Sequence, residues 1–121
     1  MKKVFLYHSI AVVILLGILF AGCKEDEPAG ECSTNPFVFH SLVAAQDTIE
    51  TGESTTITAT AEGYDLSYVW TASNGFIIPG SAENVVTYTA SPCSIGEITI
   101  TCQVEDGCGN SETKNIIIVV Q

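Results

Sequence analysis

Positive charge is scarce in this sequence. It contains no arginine and four lysines, Lys2, Lys3, Lys24 and Lys114, against 14 aspartates and glutamates, which gives a formal net charge of −10. Recognition of a phosphate backbone needs Lys and Arg side chains that displace counterions. We therefore expect no nucleic acid partner.

Recognisable sets of catalytic residues are missing as well. The chain has two histidines, His8 and His40, and its carboxylates are scattered along the sequence. Nucleophilic catalysis requires a nucleophile, a base and an orienting group within hydrogen-bond reach. The 121 residues leave room for one domain, without a cleft between domains. We therefore predict that the protein is not an enzyme and holds no cofactor, and a small hydrolase is the least favoured function.

The amino-terminal segment has the layout of a secretory signal. Lys2 and Lys3 form a positive start, and an apolar stretch interrupted only by Gly17 follows from Ile10 to Ala21. This stretch is shorter than the roughly 20 apolar residues that a spanning helix needs. We predict a cleaved signal peptide at residues 1–22, with a noncleaved membrane anchor as the alternative.

The residues at the end of this segment resemble the lipobox of bacterial lipoproteins. The run is Phe20-Ala21-Gly22-Cys23, in which Phe20 stands where that family prefers Leu. The resemblance implies that the Cys23 thiol is diacylated and that the signal is cut just before it. Each buried methylene of an acyl chain contributes about 0.8 kcal/mol, so several chains give lasting attachment to a membrane.

The charged residues after Cys23 resemble the export signal of Bacteroidota lipoproteins. They are Lys24, Glu25, Asp26 and Glu27. The resemblance implies a lipid-anchored protein of the outer membrane, exposed at the cell surface; the alternative is a solvated tether with no addressing role. Residues 23–36 also include Pro28, Gly30 and Pro36, so we predict a flexible acidic tether over this range.

Beyond residue 36 the apolar residues alternate with polar ones. Ile57, Ala59 and Ala61 alternate with threonines, and Ile98, Ile100, Cys102 and Val104 do so as well. This period of two, with turn residues at short intervals, is typical of half-buried strands in a two-sheet sandwich. We predict an all-β antiparallel sandwich at residues 37–121 with seven strands, near 41–48, 54–61, 66–72, 75–79, 84–90, 97–105 and 112–120.

Several motifs in this part resemble PKD-type and related bacterial Ig-like domains. They are Thr51-Gly52-Glu53-Ser54-Thr55, Leu66 to Trp70, Val86 to Thr89, and Val104 to Asn110. The similarity covers about residues 38 to 120. Residues 71–75 replace the WDFGDG-like run of the PKD type, so the looser Ig-like group fits better. The resemblance implies an Ig-like fold and is weak for function, since such sandwiches serve as spacers, adhesins and glycan-binding modules.

Four cysteines remain when Cys23 is acylated: Cys32, Cys93, Cys102 and Cys108. An even count in an exported chain suggests disulfides, with three pairings open. In an Ig-like sandwich the start of the first strand and the turn before the last lie at one end, which favours Cys32–Cys108. A Cys93–Cys102 bridge is disfavoured because strand rise would separate the two by roughly 20 Å. A Zn site from these thiols and His40 lacks any known finger spacing.

Ligand contacts are expected from surface aromatic residues. Trp70 is predicted to be the central core residue, whereas Tyr64, beside Gly63, and Phe76, after Asn74-Gly75, are candidates for contact with a ligand. The alternative is that both cap the core.

A set of oxygen-bearing side chains surrounds a glycine-rich turn. Asp106, Asn110 and Glu112, with Asp65, offer the ligands that Ca²⁺ prefers, but Asp-Gly and Gly-Asn are also ordinary turn residues, and we favour the turn. No metal is therefore predicted.

Two functions fit these features. The first is a non-catalytic binding or adhesion module that is held at the membrane by lipid and contacts a glycan or a protein. The second is a structural accessory subunit of an outer-membrane complex that docks through its last strand, because Asn115 to Val120 is apolar on both faces. Ligand identity and oligomeric state are left open.

Overall fold

The computed structural model describes residues 29–121. Its elements are α1 (Ala29–Thr34), β1 (Val38–Ala44), β2 (Thr48–Ile49), β3 (Ser54–Glu62), β4 (Ser67–Ala72), β5 (Phe76–Pro79), β6 (Val85–Thr89), β7 (Gly96–Glu105) and β8 (Ser111–Val120). The predictions for the signal peptide at 1–22 and for Cys23, Lys24, Glu25, Asp26 and Glu27 lie outside the described residues.

The strands form two four-stranded sheets. The first sheet has the order β1-β3-β6-β5, and the second has the order β2-β8-β7-β4. Every pair is antiparallel except β2 with β8. The predicted all-β Ig-like sandwich is therefore confirmed.

The core lies between the two sheets and follows from the alternation in the sequence. Its largest fully buried side chains are Tyr88, Ile57, Ile100, Ile118, Val104 and Cys102. Each buried aliphatic side chain of this size contributes roughly 1.5–3 kcal/mol. Trp70 is half-buried and packs against this core instead of occupying its centre, which differs from the prediction. The reason is that β4 is an edge strand, so its inward side chains have a neighbouring strand on one side only.

The predicted strand at 41–48 is in fact two strands in different sheets. β1 begins earlier, at Val38, and pairs with β3. After Ala44 the chain leaves the first sheet, and β2 pairs in parallel with the end of β8. Hydrogen bonds from the Val119 amide to the Asp47 carbonyl (2.7 Å) and from the Gln121 amide to the Ile49 carbonyl (2.9 Å) hold this crossing. The predicted single strand was wrong because alternation alone does not reveal a change of partner.

The short helix α1 lies within the segment predicted as a tether. Cys32 on this helix is bonded to Cys108. A helix of six residues is too short to be stable alone, so we attribute its order to this covalent link. No helix among residues 29–121 is long and apolar enough to cross a bilayer.

Candidate functional site

One disulfide joins the amino-terminal segment to the turn between β7 and β8. Cys32 and Cys108 are bonded across 76 residues of sequence, with their Cα atoms 5.8 Å apart. This pairing confirms the prediction. It fixes the amino-terminal segment at the end of the sandwich that carries the β7–β8 turn.

The other two cysteines described are free and differ in environment. Cys93 is exposed in the loop between β6 and β7, and Cys102 is buried on β7. Burial raises the pKa of the Cys102 thiol to about 11, so it stays protonated at neutral pH and does not act as a nucleophile. The disfavoured Cys93–Cys102 bridge is not formed. Among residues 29–121 no group of three or more His, Cys, Asp or Glu side chains is arranged to hold a metal ion.

Asp106 organises the β7–β8 turn with both of its carboxylate oxygens. Its Oδ1 accepts the backbone amides of Cys108 (3.1 Å) and Asn110 (2.7 Å), and its Oδ2 accepts the side-chain amide of Asn110 (2.9 Å). Desolvation alone would raise the pKa of Asp106, but these hydrogen bonds outweigh it and lower that pKa. Of the side chains considered for Ca²⁺, Asp106 therefore has both carboxylate oxygens engaged in the turn.

The two predicted ligand contacts are not brought together. Tyr64 follows the end of β3 and is half-buried beside Gly107, whose amide donates to the Tyr64 carbonyl at 2.7 Å. Phe76 opens β5, is 60% exposed, and lies level with Ser54 at the start of β3. The length of β3, roughly 25 Å, thus separates Tyr64 from Phe76. Ligand contact by either residue remains a prediction.

A groove on the side of the sandwich was not anticipated from the sequence. It lies between the edge strands of the two sheets and has a volume of about 410 Å³. Tyr68 and Trp70 of β4 form one wall, Ile77 and Pro79 of β5 form the other, and Glu83 lies at its rim. We call this feature the β4–β5 groove.

The polar groups of the β4–β5 groove are few and defined. The indole Nε1 of Trp70 donates to the Glu83 carbonyl at 3.1 Å, which fixes the ring plane. Burial, together with the neighbouring Cys102 and Glu83, raises the pKa of Tyr68, so its hydroxyl stays neutral. Aromatic surface beside a small number of polar groups is typical of binding sites. The β4–β5 groove can therefore take an apolar or cationic group.

Sequence reasoning missed this groove because it depends on strand order. The strand at 66–72 was predicted, but nothing in the sequence places it at an edge or beside β5 of the other sheet. The available signal was Pro79, since proline is confined to sheet edges and therefore marks β5 as an edge strand.

A comparison with known families agrees with this fold. The family model described as a bacterial Ig domain matches residues 36–119. A comparison with curated proteins found no match. Domains of the matched family are generally non-catalytic and suggest a binding or adhesion-type module. Since the match spans more than half of the sequence and the two-sheet topology accords with it, the chain belongs to the bacterial Ig domain family.

Proposed function

We propose that the protein is a lipid-anchored binding or adhesion module that acts without catalysis at the outer surface of a bacterial cell. The observation that carries the binding role is the β4–β5 groove, in which Trp70 and Tyr68 line a concave surface on the side of the sandwich. The protein or glycan that it contacts would enter from this side.

The anchoring part rests on the lipobox-like residues and is compatible with the disulfide. Eight residues lie between Cys23 and Cys32, and the nine Cα–Cα steps would span about 30 Å at full extension. A disulfide persists in an oxidising compartment, as expected of an exported domain. An attachment at the bridged end would leave the β4–β5 groove accessible.

The non-catalytic part rests on the environment of the groove. His40, the only histidine among residues 29–121, lies on β1, a strand at the opposite edge of the first sheet from β5. Its Nε2 is 2.9 Å from the Glu62 carboxylate, and both side chains are exposed. The lining of the groove thus has aromatic rings and one carboxylate, but no imidazole, thiol or amine that could act together with that carboxylate in nucleophilic or acid–base catalysis.

Two measurements test the proposal. Mass spectrometry of the mature amino terminus should find fatty acyl chains on Cys23, and protease added to intact cells should remove the domain. Glycan and extracellular protein panels should then identify a ligand for the full chain in detergent. Unmodified Cys23, or a domain protected from protease in intact cells, would contradict the anchoring role.

A matched pair of variants localises the binding. Ala82→Arg introduces a long side chain at the groove rim, and Ala45→Arg introduces the same side chain on an exposed site after β1. We expect loss of ligand binding for the first and retention for the second. Tyr64→Ala and Phe76→Ala report whether the two predicted contacts take part. Equal binding by both arginine variants would contradict the groove as the binding site.

Docking as an accessory subunit through the last strand remains the second candidate. Over Ser111–Ile118, β8 pairs with β7 on one side. No described strand pairs with its other side until β2 joins at Val119. However, Lys114 occupies an inward-facing position on this strand, and such charges oppose the addition of another strand. Stoichiometric co-purification with an outer-membrane protein, abolished by Ile117→Lys on exposed Ile117, would favour this function over the first.

A further inference from the structure

The four sheet edges of the sandwich differ in how well they resist pairing with another strand. β1 has a bulge between Phe39 and Ser41, β2 has two residues, and β5 has four residues including Pro79. Bulges, short edges and prolines are the usual protections against strand addition. β4, Ser67–Ala72, has six residues with continuous register and contains no proline and no charged residue. β8 also lacks a partner beyond β7 over Ser111–Ile118, but this stretch carries Glu112 and the inward-facing Lys114. Among the described strands, β4 is therefore the edge without any of these protections.

The backbone of β4 has unpaired groups on its outer side. The Ser73 amide donates to the Thr99 carbonyl at 2.9 Å, which sets the alternation of the antiparallel ladder with β7. By that alternation the amides and carbonyls of Tyr68, Trp70 and Ala72 point away from β7. Within residues 29–121, no backbone hydrogen bond is found to the outward-facing amides and carbonyls of these three residues.

A strand added to β4 would direct alternate side chains into the β4–β5 groove. One such side chain would meet the apolar surface of Trp70 and Ile77, and the next inward one, two residues away, would meet Tyr68 and the Glu83 rim. Glu83 lies near enough to Tyr68 to contribute to the raised pKa of that phenol. A carboxylate beside aromatic faces attracts a cationic side chain.

Charge determines which partner suits this edge. Residues 29–121 hold eleven carboxylates and one lysine, Lys114, a formal net charge of −10. A second copy of the chain would bring the same negative charge to the edge, its own Glu83 included. A basic partner is attracted by the whole domain and by Glu83 in particular.

We propose that β4 binds an extended basic segment of a partner protein as an added strand, with a Lys or Arg side chain directed at Glu83 and an apolar side chain against Trp70. This inference rests on the proposed binding function and names the ligand class for the same groove. Main-chain pairing supplies the affinity, and the two inward side chains supply the specificity.

The test uses the full chain in detergent and synthetic nonapeptides. In the probe peptide, threonine occupies every second position, and the residues between the threonines would face the β4–β5 groove. Valine and lysine occupy two successive groove-facing positions. One comparison peptide has glutamate in place of that lysine, and another carries N-methyl groups on the amides that would pair. We expect the lysine peptide to bind roughly tenfold more tightly than the N-methylated one, because several backbone hydrogen bonds are lost.

Two charge reversals on the protein locate the cation. Glu83→Lys and Glu50→Lys change the net charge equally, but Glu50 follows β2 at the opposite edge of the second sheet. We expect Glu83→Lys to weaken binding of the lysine peptide by roughly fivefold or more, and Glu50→Lys to have a much smaller effect. Hydrogen exchange should show new protection at the amides of Tyr68, Trp70 and Ala72 when the peptide binds.

Three results would overturn the inference: no binding of the lysine peptide, equal binding of the N-methylated peptide, or equal binding of the glutamate peptide. The proposed function has separate tests. If these peptides fail while another ligand is still lost on Ala82→Arg, the strand-addition inference is wrong and the binding function stands. If Cys23 is not acylated but the lysine peptide binds as described, the anchoring part alone is wrong.

Discussion

The two lateral sides of the sandwich are built differently. On the side formed by β1 and β8, Lys114 points inward and its Nζ lies 5.5 Å from the centre of the Phe39 ring on the facing sheet. The β1 bulge is next to Phe39. On the side formed by β4 and β5, aromatic side chains and an uncharged strand line an open groove.

This difference shows how one small domain can combine a protected side with an open one. The bulge and the inward lysine of the β1–β8 side discourage added strands, and the disulfide fixes the segment before β1 at the end of the sandwich that carries the β7–β8 turn. The β4–β5 side lacks these protections on β4. An uncovered edge carries a risk of aggregation, and the strand addition proposed above would cover it.

The largest effect should come from removing the bridge beside the β1–β8 side. Replacing both Cys32 and Cys108 by alanine should lower the free energy of unfolding by about 4 kcal/mol, because the unfolded chain loses a closed loop of 76 residues. Denaturant unfolding followed by the fluorescence of Trp70 measures this. Wild type in reductant should match the double variant, and exposed Cys93→Ala should leave stability unchanged. A double variant as stable as wild type would contradict the structural role of the bridge.

The next largest effect should come from the turn that joins β4 to β5. Gly75 has a φ of 83°, and a β-carbon there would lie 2.6 Å from the Thr89 carbonyl oxygen and 2.7 Å from the Tyr88 hydroxyl. Gly75→Ala should therefore cost about 3 kcal/mol, from left-handed strain plus overpacking. Gly52→Ala is the control, because Gly52 has a φ of 80° but open space around it, and it should cost about 1 kcal/mol. Equal losses in thermal unfolding would show that the contact with Tyr88 is unimportant.

Much of the fold could be predicted from the sequence because alternation is a local property. The strands over 54–61, 66–72 and 97–105 were placed within one residue of β3, β4 and β7. The Cys32–Cys108 bridge followed from the Ig-like resemblance. In each case the determining information lies within one segment or in the family pattern.

The features that escaped prediction all depend on which strands become neighbours. The change of sheet after Ala44 depends on the Asp47 carbonyl meeting the Val119 amide, 72 residues later. The half-burial of Trp70 depends on β4 lying at an edge. The β4–β5 groove needs two strands from different sheets, so no single stretch of sequence indicates it.

A smaller and pH-dependent effect should distinguish Asp106, in the β7–β8 turn next to the β1–β8 side, from the exposed carboxylates. Its folded-state pKa is lowered from the ordinary value of 3.8, so its contribution to stability is fully present above that value and is lost as pH falls through the folded pKa. Asp106→Asn should therefore unfold at a lower temperature than wild type at pH 7. The difference should close in acid, where wild-type Asp106 is itself protonated. Glu97→Gln is the control, because it removes one exposed charge. If the difference in unfolding temperature between Asp106→Asn and wild type stays constant with pH, this role for Asp106 is contradicted.

The smallest effect tests the contact that protects the β1–β8 side. Lys114→Met keeps the side-chain stem and removes the charge above Phe39, so it should lower the free energy of unfolding by about 0.5 kcal/mol. A double-mutant cycle with Phe39→Leu isolates the contact, because Phe39 is buried and its replacement also costs packing. If the coupling energy is zero, the contact contributes nothing, and the inward position of Lys114 serves only to oppose strand addition. In that case the Lys114→Met variant should bind the strand peptides at β8 without loss of stability, and the contrast between β8 and β4 in the second sheet would depend on this one charge.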